Sequence, residues 1–457
     1  MINPNIFREY DIRGIADEDL IDDSVELIGK AYGTFLGRKG LKTFIVGKDV
    51  RLSSDRIQNA LIKGITATGC NVINIGLVPT PVLYFAIVHL NVDGGVMVTG
   101  SHNPIEFNGL KMCRGIASVF GEDIQKIKKL IDQNDFLSGQ GNVETHEIVP
   151  DYVEMIKSKI KLDRKLKIVI DAGNGTAGVI APQMWDDLGC EVIKLYCEPD
   201  GRFPNHLPDP TVPKYVVDLQ KKVLENNADM GIGYDGDSDR LGVIDDKGRI
   251  IFADRLIALF SRDVLKRKPG ATVVFDVKCS QALPEYIKKY GGKPLMWKTG
   301  HSLLKAKMKE ETSPFAGEMS GHIFFADDFY GFDDGIYASG RLLEIVASSD
   351  KKLSELVEEI PYFVSTPEIR IECADEKKFN VVEALVKSFK QEYDVIDIDG
   401  ARVLFGDGWG LVRASNTQPV LVLRFEAKTE QRLEEIKQIF KKKLKEYPAI
   451  KFSDDEF

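Results

Sequence analysis

Three aspartates alternate in Asp-Gly-Asp-Ser-Asp-Arg at residues 235–240. In an extended segment alternate side chains share one side, so Asp235, Asp237 and Asp239 would aim three carboxylates at one point. Such a cluster repels itself unless a cation sits in it, and all-oxygen ligation suits Mg²⁺ or a similarly hard ion. A calcium EF-hand loop opens with the same alternation, but its sixth position must be Gly and here is Arg240. A solvated acidic turn is the plain alternative. Arg240 adds a guanidinium that can take phosphate oxygens bidentately or pair with one of the aspartates.

The second chemically suggestive stretch is Val-Thr-Gly-Ser-His-Asn-Pro at 98–104. A hydrolase built on Ser101 and His102 is a weak reading. There is no Gly-x-Ser-x-Gly elbow, no carboxylate precedes Glu106, and adjacent residues usually point different ways. Helix capping is opposed by Pro104 and by Asn108-Gly109. A serine near a divalent cation and basic groups suits phosphoryl transfer, where positioning and charge neutralisation supply most of the catalysis. A phosphate on Ser101 would carry about −1.5 to −2 charges, and Mg²⁺, Lys111 and Arg240 could hold it. His102 would orient the loop, touch the phosphate, or make a turn hydrogen bond.

Two further loops are less explicit. Gly-Glu-Met-Ser-Gly-His at 317–322 alternates Glu318, Ser320 and His322, a pattern able to bond vicinal sugar hydroxyls or to form a buried polar turn. Arg-Ala-Ser-Asn-Thr-Gln-Pro at 413–419 could aim N–H groups and hydroxyls at a phosphate, or be an ordinary Asn-Thr turn. Of six histidines, His102, His206, His301 and His322 lie in polar loop stretches.

The elements that must position these loops recur three times. Segments beginning at Lys42, Lys167 and Thr272 each read as a short apolar strand, a polar turn, a helix, a Gly turn and a second apolar strand. That unit favours parallel pairing through a right-handed crossover. Each is followed by one more apolar segment running into a chemical loop: 94–104, 230–240 and 313–325. Ligands collect at the carboxyl ends of strands in open α/β sheets, so three related domains could present three related loops to one cleft. The remainder reads as strands with helices at 379–393 and 429–447, a small α+β domain. The expected architecture is α/β: three similar mixed-sheet domains at 1–148, 149–253 and 254–366, and a smaller α+β domain at 367–457.

Composition bounds the answer. The chain has 457 residues, 43% hydrophobic and 29% charged, ordinary for a soluble globular protein. A net charge of −9 argues against general nucleic-acid binding while leaving room for a local basic cleft. No apolar run approaches membrane-spanning length and no signal peptide is read. Six cysteines (70, 113, 190, 197, 279 and 373) without a C-x-x-C fit reduced thiols. A cytoplasmic location is expected.

With the early Phe-Arg-Glu-Tyr-Asp-Ile-Arg-Gly at 7–14, the four loops in this order make the chain resemble the α-D-phosphohexomutases over essentially its whole length. The bacterial phosphomannomutase/phosphoglucomutase group is the nearest match. The resemblance implies four domains around a central cleft and a phosphorylated Ser101 that binds Mg²⁺ together with Asp235, Asp237 and Asp239. It implies that Arg13, Lys111 and His322 lie near the transferring phosphoryl group, and that Glu318 and Ser320 read sugar hydroxyls. Arg413, Ser415, Asn416 and Thr417 match the loop for the phosphate that is not transferred; Tyr10, Arg240, Lys278 and His301 match further cleft residues. The implied reaction interconverts hexose 1- and 6-phosphates of glucose and mannose through a hexose 1,6-bisphosphate, also the expected activator, with the last domain closing over the ligand. A monomer or homodimer is expected. One departure stands out: the family usually has Gly where this chain has Ser238. A phosphoglucosamine mutase, which typically has Gln at the position of Met319, a Mg²⁺-dependent phosphatase, and a non-catalytic sugar-phosphate binder are the rival readings.

Overall fold

The computed structural model describes residues 2–416 and 418–453. The first sheet comprises β1 (Ile12–Ile15), β2 (Thr43–Lys48), β3 (Asn71–Leu77), β4 (Gly94–Val98), β5 (Phe107–Arg114), β6 (Ala117–Ser118) and β7 (Val143–Thr145). Its order is β1-β5-β4-β2-β3-β7, with β6 on β5. The second contains β8 (Lys167–Asp171), β9 (Glu191–Leu195), β10 (Met230–Tyr234), β11 (Leu241–Asp245) and β12 (Ile250–Ile251), ordered β12-β11-β10-β8-β9. The third contains β13 (Thr272–Asp276), β14 (Lys293–Trp297), β15 (Phe315–Gly317) and β16 (Ile323–Phe325), ordered β14-β13-β15-β16.

The recurring sequence unit is a recurring topology. In each sheet the unit's first strand is central and runs parallel to both the next strand and the third. The fourth strand turns back antiparallel on the third. Central strands such as Ile168-Val169-Ile170 are buried on both faces, the pattern a helix-covered parallel sheet demands. The Gly turns leading to the second strand have φ of +85° at Gly69, +95° at Gly189 and +78° at Gly291, values that favour glycine. The chemical loops at 99–106, 235–240 and 318–322 are therefore equivalent hairpins at the carboxyl end of the third strand.

One continuous core joins these three sheets, running from Ile45 and Met97 through Trp185 and Ile232 to Phe275 and Phe315. The helix Thr80–His89 is apolar on all sides from Pro81 to Ile87 and is buried over that stretch, as an all-round hydrophobic helix must be. Its first N–H donates to Asp237 O at 2.8 Å. All six cysteines are free thiols. Among the described residues no helix is long and apolar enough to cross a membrane.

The last sheet is antiparallel: β17 (Val364–Ser365), β18 (Ile369–Cys373), β19 (Asp394–Ile396), β20 (Ala401–Leu404), β21 (Gly408–Ala414), β22 (Val420–Ala427) and β23 (Ile450–Lys451). Helices Lys378–Phe389 and Glu430–Leu444 pack on it. Its register aligns Arg402, Leu411 and Arg424 in one row across β20, β21 and β22. That row docks on the third sheet. Arg402 lies over Trp409 at 3.7 Å and donates to Val277 O at 2.5 Å and Cys279 O at 2.8 Å. Arg424 donates to Lys278 O and, at 3.2 Å, to Asp254 Oδ2. Arg402→Met strands the two carbonyls it serves, so a loss of about 1.5–3 kcal/mol is expected. It should appear as a lower urea midpoint; an unchanged midpoint would show that the docking does not need this cation.

Candidate active site

β10 ends at Tyr234 and the next six residues form the acidic loop. Asp235, Asp237 and Asp239 are fully buried, and one ligand oxygen from each lies within 4.8 Å of the others. Lys111, from β5, donates to Asp237 Oδ2 at 2.6 Å and Asp239 Oδ2 at 2.5 Å. Thr80 Oγ1 donates to Asp237 Oδ2 at 2.6 Å, and Ser101 Oγ to Asp235 Oδ2 at 2.8 Å. Burial alone would raise the Asp237 pKa, but the Lys111 ammonium outweighs it and the net direction is down. Asp235, farther from compensation, is driven up by burial and by Asp239 and Asp237. Asp237 Oδ1 and Asp239 Oδ1 are buried with no hydrogen-bond partner among the described residues. Buried polar atoms are rarely left unpaired. Three converging carboxylates, two of them with an unpaired oxygen, make a donor set that fits a hard divalent cation.

Ser238 lies at φ +65°, a left-handed conformation that costs a residue with Cβ about 1–2 kcal/mol. Its buried hydroxyl sits 2.9 Å from Thr176 Oγ1, which offsets part of that cost. Its side chain faces Thr176 and leaves the three carboxylates undisturbed.

Ser101 is also left-handed, at φ +48°. That conformation corrects the expectation that Ser101 and His102 point apart: Ser101 Oγ and His102 Nδ1 are 3.1 Å from each other. Burial, then Arg240, Arg13 and Lys111, push the His102 pKa well down and keep the ring neutral. Arg13 on β1 stands opposite Gly109, two residues from Lys111 and on the same face. It donates to Asn103 Oδ1 at 3.1 Å and to Asp11 Oδ2 at 2.5 Å.

In the third loop, Glu318 Oε2 and Ser320 Oγ have no hydrogen-bond partner among the described residues, and both residues line the cleft. His322 Nε2 accepts from Arg240 Nε at 3.1 Å. A neutral ring then carries its hydrogen on Nδ1, which lies 3.0 Å from Asp333 Oδ2 and 3.6 Å from Asp239 Oδ1. These three residues could otherwise pass for a second metal set. An ion on Nδ1 would need a hydrogen on Nε2 facing the Arg240 N–H, two donors in opposition. His301 stacks on His322 at 5.2 Å.

Lys278 Nζ is 3.2 Å from Glu368 Oε2 and 3.9 Å from Asp276 Oδ2. In the fourth sheet Arg413 Nε donates to Asp399 Oδ2 at 2.9 Å. Asn416 Nδ2 donates to Tyr10 OH, which donates to Thr299 O at 3.0 Å. Thr417 lies outside the described residues. A cleft of about 680 Å³ links these groups, with lining residues from the first, second and fourth sheets and from the loops of the third. Ser101, Lys111, Arg240, Lys278, Glu318 and Arg413 all reach it. Sequence reasoning missed Thr80, Thr176, Asp333 and Glu368. Only Thr80 had a local signal, between two prolines at a helix start.

Comparison with known proteins covers the chain in four consecutive parts. It matches the family models for phosphoglucomutase/phosphomannomutase alpha/beta/alpha domains I (residues 4–138), II (150–248) and III (252–363). The matching C-terminal domain spans 368–443. The phosphomannomutase/phosphoglucomutase of Pseudomonas aeruginosa is 49% identical over 442 residues, 96% of each chain. The phosphoglucomutase of Neisseria meningitidis serogroup A is 45% identical over 451 residues, 98% of each. A solved phosphoglucomutase/phosphomannomutase family protein from Burkholderia thailandensis has a TM-score of 0.93 at 44% identity, covering 99% of this chain and all of that one.

Desolvation of its carboxyl against the cleft wall would raise the pKa of the otherwise exposed Glu368, but Lys278 and Arg370 reverse this and bring it down to about 2 from a usual 4.5. A depressed carboxyl stabilises the fold above pH 4.5, and that contribution fades as pH falls from 4.5 toward about 2. Glu368→Gln should therefore flatten the stability profile across that window in acid unfolding. A slope equal to the parent's would rule out this pairing as its source.

Proposed function

The chain belongs to the phosphoglucomutase/phosphomannomutase family, and on that premise we propose how its cleft works. The protein is a hexose-phosphate mutase, an isomerase. Glucose and mannose phosphates are its proposed substrates, and Ser101 its phosphoryl carrier. The unit boundaries proposed are near residues 148, 253 and 366.

In this reading Arg413, Ser415 and Asn416 hold the phosphate that stays on the sugar. The unpaired Glu318 Oε2 and Ser320 Oγ take sugar hydroxyls. The free sugar hydroxyl attacks phosphorus on phospho-Ser101; the new O–P bond forms as the Ser101 Oγ–P bond breaks. The proton lost by the sugar hydroxyl is balanced by the one that Ser101 Oγ gains, and Asp235 Oδ2, 2.8 Å away, accepts the resulting hydrogen bond. The hexose 1,6-bisphosphate turns round, and Ser101 Oγ attacks its other phosphorus; the new Oγ–P bond forms as that sugar O–P bond breaks, and the proton lost by Oγ is balanced by the one the freed sugar oxygen gains. Cations at both ends of the cleft suit a ligand that must dock both ways: Arg13, Lys111 and Arg240 at one, Lys278 and Arg413 at the other.

Asp235, Asp237 and Asp239, with an oxygen of the Ser101 phosphate, would hold Mg²⁺, which when bound supplies positive charge beside the transferring group. The observation that carries the proposal is the direct bond from the cleft-lining Ser101, through Oγ, into the buried three-carboxylate cluster.

Peptide mapping of the purified protein, with bisphosphate supplied if it arrives dephosphorylated, should find one phosphate, on Ser101. Ser101→Ala should keep the fold and lose interconversion of glucose 1- and 6-phosphates. Steady release of inorganic phosphate without isomerised sugar would mark a phosphatase instead. Mg²⁺ should raise the thermal midpoint of the parent protein through linkage and leave that of Asp237→Asn/Asp239→Asn unmoved; equal shifts in both would reject these ligands.

A further inference from the structure

Each repeated unit has an aspartate at or just beyond the end of its central strand: Asp49, Asp171 and Asp276. Two residues on stand Arg51, Gly173 and Lys278, within Asp-Val-Arg, Asp-Ala-Gly and Asp-Val-Lys. In the third unit Asp276 Oδ1 accepts from Met319 N at 3.0 Å, holding the sugar-reading loop, and Lys278 runs into the cleft. In the second, Asp171 turns to His206 Nε2 at 3.1 Å, and glycine leaves no cation at all. The first unit uses the same two positions differently.

Asp49 Oδ2 accepts from Gly100 N at 3.0 Å and from Thr99 Oγ1 at 2.9 Å, and Ser101 N donates to that same Thr99 Oγ1 at 2.8 Å. Asp49 Oδ1 accepts from Arg51 N at 3.0 Å. Arg51, 3% exposed, turns away from the cleft and behind the serine loop. Its Nη1 donates to Pro104 O at 2.7 Å and Phe107 O at 2.8 Å. Its Nη2 donates to Ser101 O at 3.0 Å and Asn103 O at 2.6 Å. Phe203 of the second unit lies 5.2 Å from the guanidinium. A Cβ at Gly100 would come within 2.3 Å of Arg51 Nε, so the loop is moulded on this side chain.

We propose that Arg51, keyed by Asp49 and Thr99, is a positioning residue for phosphoryl transfer: it casts the 101–107 loop and holds Ser101 in its left-handed conformation. A strained backbone persists only where its surroundings over-determine it, and four charge-assisted bonds from one rigid fork supply that constraint. Because the carbonyls bond backward to the guanidinium, their negative ends are kept from the phosphoryl group. The moving phosphate belongs to this loop alone, and this unit alone among the three spends its cation on the backbone. Lys278 holds the equivalent position for side-chain work in the cleft.

This inference rests on Ser101 being the carrier, and the test separates the two. Dephosphorylated protein is mixed with glucose 1,6-bisphosphate, and single-turnover phosphorylation of Ser101 is followed alongside kcat and KM for glucose 1-phosphate. Misplacement of a reacting group by about 1 Å can cost ~100-fold. Arg51→Met should therefore lose ~100-fold in the phosphorylation rate and kcat, with KM within about 3-fold, and Arg51→Lys should recover part of the loss. Thr99→Val, which removes the relay to Ser101 N while preserving shape, should lose ~10-fold with KM likewise steady; it decides the matter if Arg51→Met does not fold. Parent-like phosphorylation in the folded variants, or a loss confined to KM, would overturn the inference. Failure of the parent Ser101 to accept phosphate would instead overturn the carrier reading.

Discussion

Three carboxylates forced into one dry pocket are the constraint around which this molecule is arranged. Removing an ion from water costs several kcal/mol even after relaxation, and Asp235, Asp237 and Asp239 are all fully buried. Their own hairpin supplies only Arg240, whose backbone N–H donates to Asp235 Oδ1 at 3.1 Å and whose guanidinium stands 4.0 Å from Asp235 Oδ2. Lys111 arrives from the first sheet and Thr80 from a buried helix between sheets. The third unit closes over the loop through Leu241 N to Gly321 O and Gly335 N to Ser238 O, at 3.0 and 3.1 Å. Neutralising one loop thereby fixes how three units sit together.

The same geometry brings function to the junction. Gly236 is so close to the serine loop that a Cβ there would lie 2.5 Å from Ser101 O. Arg240 leaves the acidic loop and is held by His322 of the third. Charges at the far end are matched before any ligand arrives, Lys278 by Glu368 and Arg413 by Asp399. On the function proposed above, a substrate phosphate would exchange one anion for another and not meet bare cations, which would limit the grip on either end of a bisphosphate and suit an intermediate that must let go and turn.

Much of this was legible. The alternating aspartates pointed to a cluster able to hold a cation, and their carboxylates do converge, but through a turn with Ser238 at φ +65° and not through the extended segment expected. The repeated strand-turn-helix pattern declared equivalent hairpins, and all three chemical loops occupy that one topological place. Legibility failed where backbone conformation overrode a local rule. Ser101 and His102 meet because Ser101 is left-handed, a state that nothing in Thr-Gly-Ser-His announces. Arg51 was passed over within a polar turn, since its partners are backbone carbonyls about fifty residues away and carbonyls leave no mark in composition.

By itself the sequence determined which chemistry each loop can do and which elements carry it, because side-chain type and strand or helix period are local properties. Only the tertiary structure decided which groups meet: Lys111 with Asp237 and Asp239, His322 with Arg240 and Asp333, Tyr10 with Asn416. Those meetings follow from sheet register and from a core shared by three units, and register and packing are settled by the whole chain at once.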